Sequence, residues 1–219
     1  MTFLRNNSLG IVLFLATFLA ILGMLFSGWH LGQDEALQHG DTPPLLWDYA
    51  MSGDFLSALF ENWESEFLQM SAYVMLTAFL FQRGSAESKN PDEPAAQDED
   101  PKQKRDAEDA PWPVRAGNFA RSLYSYSLGI ALAALFLLSF LLHLRYSAED
   151  ANAEALLHGQ PAVPILQHLA SAQFWFESFQ NWQSEFLSTA VLVVLSIFLR
   201  FRGSPESKPV AAPHSETGS

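Results

Sequence analysis

The sequence predicts an all-α membrane protein: four transmembrane helices arranged as two tandem-repeat helical hairpins, with amphipathic helices at the outer interface. Three observations predict it. The chain contains one passage twice. Residues 8–89 and 127–208 align without a gap at an offset of 119, as Ser8 to Ser127, and roughly 32 of about 82 aligned positions are identical. Each copy opens and closes with an apolar run, and Lys and Arg keep to one side of those runs.

The first apolar run, residues 9–26, has its repeat partner at residues 128–144. Each is about 17–18 residues, near the lower limit for crossing a ~30 Å hydrocarbon core as a helix. A short segment with Arg5 precedes the first run, but no A-x-A site follows it, and its partner is internal. It therefore reads as a retained helix rather than a cleaved signal. The second and fourth runs, residues 67–81 and 186–199, are shorter, about 14–15 residues or roughly 22 Å. They span only if the helix includes the polar residues before them. Counting residues 62–82 gives about 21 residues and ~31 Å, which places Glu66 at the outer boundary of the hydrocarbon.

Between the runs, His39-Gly40 and His158-Gly159 suit helix ends, with glycine in a left-handed cap and histidine at the negative end of the dipole. Pro43, Pro44, Pro161 and Pro164 then redirect the chain. Phe55, Leu56, Leu59, Phe60 and Trp63 fall at helical spacing, and Phe174, Trp175, Phe176, Phe179 and Trp182 repeat the stripe. This predicts an amphipathic segment at the outer interface, leading into the second span of each hairpin. Phe60, Trp63, Phe179 and Trp182 are its interfacial aromatics. The same stripe would also serve as an aromatic wall for a lipid or apolar ligand. The predicted organisation is a two-span repeat at residues 1–89, a charged Pro-rich linker at 90–121, a second two-span repeat at 122–208 and a disordered tail at 209–219. The linker and tail hold too few apolar residues to offset their ordering entropy.

Of the 12 Lys and Arg residues, only Arg145 borders an outer loop; the others lie at the N-terminus, in the linker and in the tail. The loops 27–61 and 146–180 carry none. That asymmetry predicts cytoplasmic N and C termini. Two spans per unit give both copies one orientation, with a pseudo-symmetry axis along the membrane normal. The formal charge of −12 argues against nucleic acid as a partner. No cysteine is present, so no disulfide, thiolate nucleophile or cysteine metal site exists. The chain holds no H-E-x-x-H, G-x-S-x-G, Walker or dinucleotide motif. No enzymatic activity, cofactor, catalytic residue or metal ligand is expected.

The repeated Asn-Trp-x-Ser-Glu-Phe is where chemistry is most concentrated. On a helix Asn62, Glu66, Gln69 and Tyr73 form one polar stripe, and Asn181, Glu185 and Ser188, with Thr189 beside them, form the second. An intramembrane carboxylate is costly and faces the bundle interior or a water cavity. Glu66 and Glu185 would then converge near the outer face and bind a cation or exchange a proton. The alternative places both in the headgroup layer as hydrated helix-start acids. Asn62 and Asn181 could equally join the hairpins by hydrogen bonds of about 0.6–2 kcal/mol. His143 has no counterpart, because Met24 occupies that place, so it is a poor candidate for a shared mechanism.

At NWESEFLQ, followed by an apolar span and FLFQRGSAESK, the chain resembles a family of bacterial membrane proteins classed as a domain of unknown function, marked by repeated NWxSEFL and RGSxESK motifs. SLGIVLF, QHGDTPP and SGDFLSALFENW fit the same pattern, and the resemblance covers residues 3–93 and 122–208. The second copy departs at Gln183, Ser188 and Arg200. The resemblance implies a multi-pass protein of the bacterial plasma (inner) membrane and brings no reaction and no catalytic residues. The expected function is a non-enzymatic structural or partner-binding membrane module. Its expected partners are the lipid bilayer and either a homo-oligomer or another membrane protein. The alternative is a small cation or proton channel or transporter using Glu66 and Glu185.

Overall fold

Long apolar runs punctuated by Gly and Pro leave helix as the only regular structure among the described residues, 2–218, of the computed structural model. Met1, at the start of the expected first repeat, and Ser219, at the end of the tail, lie outside them. The short α1, Thr2–Asn6, leads into α2, Ser8–His39, of 32 residues. Gly40 ends α2 at φ 76°, with the Asp41 N–H donating to the Ala36 carbonyl at 2.8 Å. Only glycine enters that left-handed region without strain. Pro43 and Pro44 then set off α3, Leu46–Ala50. The next helix, α4, Gly53–Phe79, is capped by Ser52, whose Oγ accepts the Phe55 N–H at 3.2 Å.

Two 3-10 turns, Ala96–Asp98 and Pro101–Lys104, precede α5, Trp112–Arg115, and α6, Asn118–Ser125. The second long helix is α7, Ser127–Leu157; α8, Ile165–Leu169, and α9, Ala172–Phe198, follow. Ser171 Oγ accepts the Phe174 N–H at 3.2 Å, as Ser52 does for Phe55. Both bounds of α8 and of α9 fall 119 residues after those of α3 and α4.

Two helices, α2 and α7, are long and apolar enough to cross a membrane, with mean hydropathy of 2.7 and 2.3 in their most apolar stretches. The helices α4 and α9, 27 residues each, are not among them. The reason is local. Each begins as the amphipathic aromatic segment and becomes apolar only in its second half, so the expected outer helices are the first turns of α4 and α9 rather than separate elements.

The chain forms two compact units. The first comprises residues up to Trp63 together with Ser139–Glu177, and the second Glu64–Leu138 together with the residues from Ser178 onward. In the first, Tyr49 is buried over Gly28, and Phe60 stacks on Tyr146 at 5.8 Å. Loop ties recur at the same carbonyl of each copy. Trp29 Nε1 donates to the Pro44 carbonyl at 2.9 Å, and Asn152 Nδ2 to that of Val163 at 3.0 Å.

In the second unit the segments after α4 and α9 fold alike. Ser88 Oγ accepts the Gln82 N–H and Ser207 Oγ the Phe201 N–H, both at 2.9 Å. Gly84 and Gly203 lie at φ 83° and 91°. These glycines shape turns some residues beyond the ends of α4 and α9 rather than capping the helices themselves. The linker, expected as disordered, is laid out in local turns with ion pairs Arg83–Asp92 at 2.6 Å and Lys89–Asp98 at 2.7 Å. Exposed pairs of this kind contribute little stability. The tail is held more firmly. Lys208 is buried and its Nζ donates to the carbonyls of Pro213, His214 and Glu216 at 3.2, 3.1 and 2.8 Å.

Candidate functional site

Polar side chains gather in two places, one in each unit. In the second unit they follow the facing sides of α4 and α9. Gln69 Nε2 donates to Thr189 Oγ1 at 2.5 Å. Thr189 and Ser188 each donate back to the Glu185 carbonyl, at 3.1 and 2.9 Å. Gln69 is thus joined to Thr189, while Ser188 is exposed on its own helix. Farther along, Tyr73 Oη donates to Glu87 Oε2 at 3.1 Å.

Glu66 is exposed and Glu185 half-buried, and the Glu185 charge acts on Glu66 across the helix pair. The fully buried acid of the motif is Glu64, whose Oε1 accepts the Trp182 indole N–H at 2.8 Å. Sequence reasoning passed over Glu64 because its repeat position holds Gln183. Two residues from Glu66 on a helix, it lies on nearly the opposite side. Asn62 is exposed and donates to the Ala58 carbonyl of its own helix at 2.7 Å; Asn181 is half-buried. The interfacial aromatics pair edge-on, Phe60 with Trp63 at 5.6 Å and Phe179 with Trp182 at 5.4 Å. Trp182 also meets Phe136 at 6.4 Å.

The first unit holds a cluster that sequence reasoning missed. Ser147 Oγ donates to Glu177 Oε2 at 3.0 Å, and His168 Nε2 lies 2.8 Å from the same Oγ. A hydroxyl has one proton, so His168 is the donor to Ser147. Gln173 Nε2 donates to Glu177 Oε1 at 3.1 Å, and His143 Nε2 lies 3.6 Å from Oε2. Phe174, fully buried, packs against both imidazoles, with centroids at 4.9 Å from His143 and 5.9 Å from His168. Burial, opposed by the Glu177 charge and aided by His143, holds His168 below its ordinary value. Burial pushes Glu177 up, but the nearby His143 imidazole and the hydrogen bonds from Gln173 and Ser147 outweigh it and keep the carboxyl low. The hydrogen-bond chain can pass a proton between His168 and Glu177 through Ser147. Among the described residues no group of three or more His, Asp or Glu is arranged to hold a metal ion.

This cluster belongs to one copy. The matching positions of His143, Ser147, His168 and Glu177 are Met24, Gly28, Tyr49 and Ala58. There, the Tyr49 ring takes the space a side chain at position 28 would need, since a Cβ on Gly28 would lie 2.2 Å from Tyr49 Oη. Burial, then the charge and hydrogen bond of Asp54, push the Tyr49 hydroxyl up to about 12, so it stays a donor. A signal for the cluster did exist in the sequence: His143 and Ser147 sit one helical turn apart, and both depart from the repeat.

No curated protein and no solved structure matches the chain. The helices, their caps and the repeated motif turns extend from one end of the chain to the other, and over residues 1–219 the sequence matches a domain of unknown function, so the protein belongs to the DUF6766 family.

Proposed function

We propose that the protein is an integral membrane protein of four spans, two tandem hairpins in one orientation, that acts without catalysis as a structural or partner-binding module in a bacterial inner membrane. The observation that carries this reading is the apolar surface left uncovered on the helices. Leu9 is 73% exposed, Phe14 81% and Phe79 76%. Large apolar side chains exposed to that degree suit lipid or a protein partner rather than water. The spans are residues 9–26, 62–82, 128–144 and 181–199. Both termini lie in the cytoplasm, where the Lys and Arg residues are concentrated. The aromatic first turns of α4 and α9 lie at the outer interface, where one side contacts lipid headgroups and the other stays open to a second copy or another membrane protein.

A second reading, a small cation or proton pathway, is favoured by the polar line from Glu66 and Glu185 through Gln69 and Thr189. One experiment separates the two. The protein is extracted into lipid nanodiscs and weighed intact, as wild type and as the Glu66→Gln/Glu185→Gln variant. A stoichiometric protein partner retained in both supports the module. A homo-oligomer without a partner, carrying an ion that the variant loses, overturns it in favour of the pathway.

A further inference from the structure

Within the second unit, the C-terminal halves of α4 and α9 enclose a partly open cavity of about 390 Å³. That volume lies in the range of small-molecule sites. Its wall is largely apolar, with Leu76 and Leu80 on one side and Phe186 and Val193 on the other. At one end stand Tyr73 and Glu87. Tyr73 uses its hydroxyl on Glu87 Oε2, while Glu87 Oε1 is buried with no hydrogen-bond partner. The carboxylate of Glu206, the repeat counterpart of Glu87, is exposed and outside the cavity wall, and its charge acts on Glu87. Burial, opposed by the Tyr73 hydrogen bond and reinforced by Glu206, holds the Glu87 carboxyl above its ordinary value. Two adjacent carboxylates demand a proton or a counter-cation.

Among the described residues, Arg83, Lys89, Arg200 and Lys208 are engaged elsewhere. Arg83 is paired with Asp92, and Lys89 with Asp98 and the Ala78 carbonyl. Lys208 is spent on three tail carbonyls. Arg200 donates to the carbonyls of Ser196, Ile197, Leu199 and Ala212. Arg83, Lys89, Arg200 and Lys208 are thus turned to other partners, and the apolar cavity ends on Glu87.

We propose that this cavity binds an amphipathic organic cation, its apolar body against Leu76, Leu80, Phe186 and Val193 and its positive head on Glu87. The inference rests on the membrane reading above, because the ligand's apolar body would enter from the lipid phase. The Glu87 carboxylate supplies selectivity for charge, and the walls supply affinity for bulk.

The test is equilibrium binding of tetraphenylphosphonium to the full chain in phosphatidylcholine nanodiscs, whose neutral lipid does not itself concentrate cations. Wild type should bind saturably, and more weakly as the pH falls and protons compete. Glu87→Gln should weaken binding about tenfold, the size of one lost charge-assisted contact. Val193→Trp, which fills the cavity, should abolish it. Triphenylmethane, of similar bulk without charge, should bind far more weakly than the cation. Equal affinity of wild type and Glu87→Gln overturns the proposal, as does triphenylmethane binding as tightly as the cation, which marks the cavity as a place for an acyl chain. Should Glu87→Gln fail to enter nanodiscs, Glu87→Ala gives the same comparison. Wild type that enters nanodiscs and binds no cation removes the site alone. Wild type that will not enter them removes the membrane reading and the site together.

Discussion

Gly28 and Tyr49 show how one residue pair replaces another at the same place in two copies. Tyr49 reaches over a backbone without a side chain, while His168 meets a hydroxyl on Ser147. Gly28→Ser alone should destabilise the protein by about 1–3 kcal/mol through overpacking. Gly28→Ser with Tyr49→His, which copies the second pair, should recover part of that loss, as read by thermal unfolding in detergent. No recovery would mean that the two sites do not share a geometry. Asp150, beyond the apolar stretch of α7, gives a pH prediction. Burial, then the charges of Asp54, Glu154 and Glu177, raise it from 3.8 to about 6. A carboxyl raised on folding costs stability above its folded value, and the cost vanishes as the pH falls below its unfolded value. Asp150→Asn should therefore raise the unfolding temperature at pH 7.5 and give no gain below about pH 4. His168 works in the opposite direction, since its depressed value makes folding lose stability as the pH falls. It is present in both proteins and cancels in the comparison.

At the scale of elements, the motif segments after α4 and α9 fold by one rule. A glycine at positive φ, a serine accepting the preceding backbone N–H and a closing lysine recur in each. They differ in what the lysine holds. Lys89 reaches the C-terminal part of α4 and Asp98, whereas Lys208 gathers the tail. Gly84 N–H donates to Thr217 Oγ1 at 2.9 Å and Gly218 N–H to the Ser85 carbonyl at 2.9 Å, so tail and first motif segment are tied. Lys208→Met keeps the bulk and removes the three donated hydrogen bonds. Amide exchange over residues 213–218 should rise at least tenfold in that variant while exchange in the middle of α4 stays unchanged. Unaltered exchange in the tail would show that Lys208 does not hold it.

For the whole molecule, the absence of cysteine makes topology directly measurable. Single substitutions Asp41→Cys and Gln97→Cys test the two sides. A membrane-impermeant maleimide should label Asp41→Cys in intact cells, and Gln97→Cys only after permeabilisation. Equal labelling of both from outside would defeat the hairpin arrangement. The sequence by itself determined the helical class, the placement of the long apolar helices, the glycine ends of α2 and α7 and the repeat of element bounds. These follow from local terms: periodicity, the φ freedom of glycine and the lost N–H of proline. Tertiary structure alone decided which acid is buried. Glu64 and Glu66 differ by two residues, and it is Glu64 that is buried, its carboxylate accepting the Trp182 indole N–H. It also decided that Gln69 meets Thr189, that His143, Ser147, His168 and Glu177 come together, and that Glu87 stands at the end of a cavity. Each of these depends on side chains far apart in sequence, whose meeting is set by how helices pack rather than by any local preference.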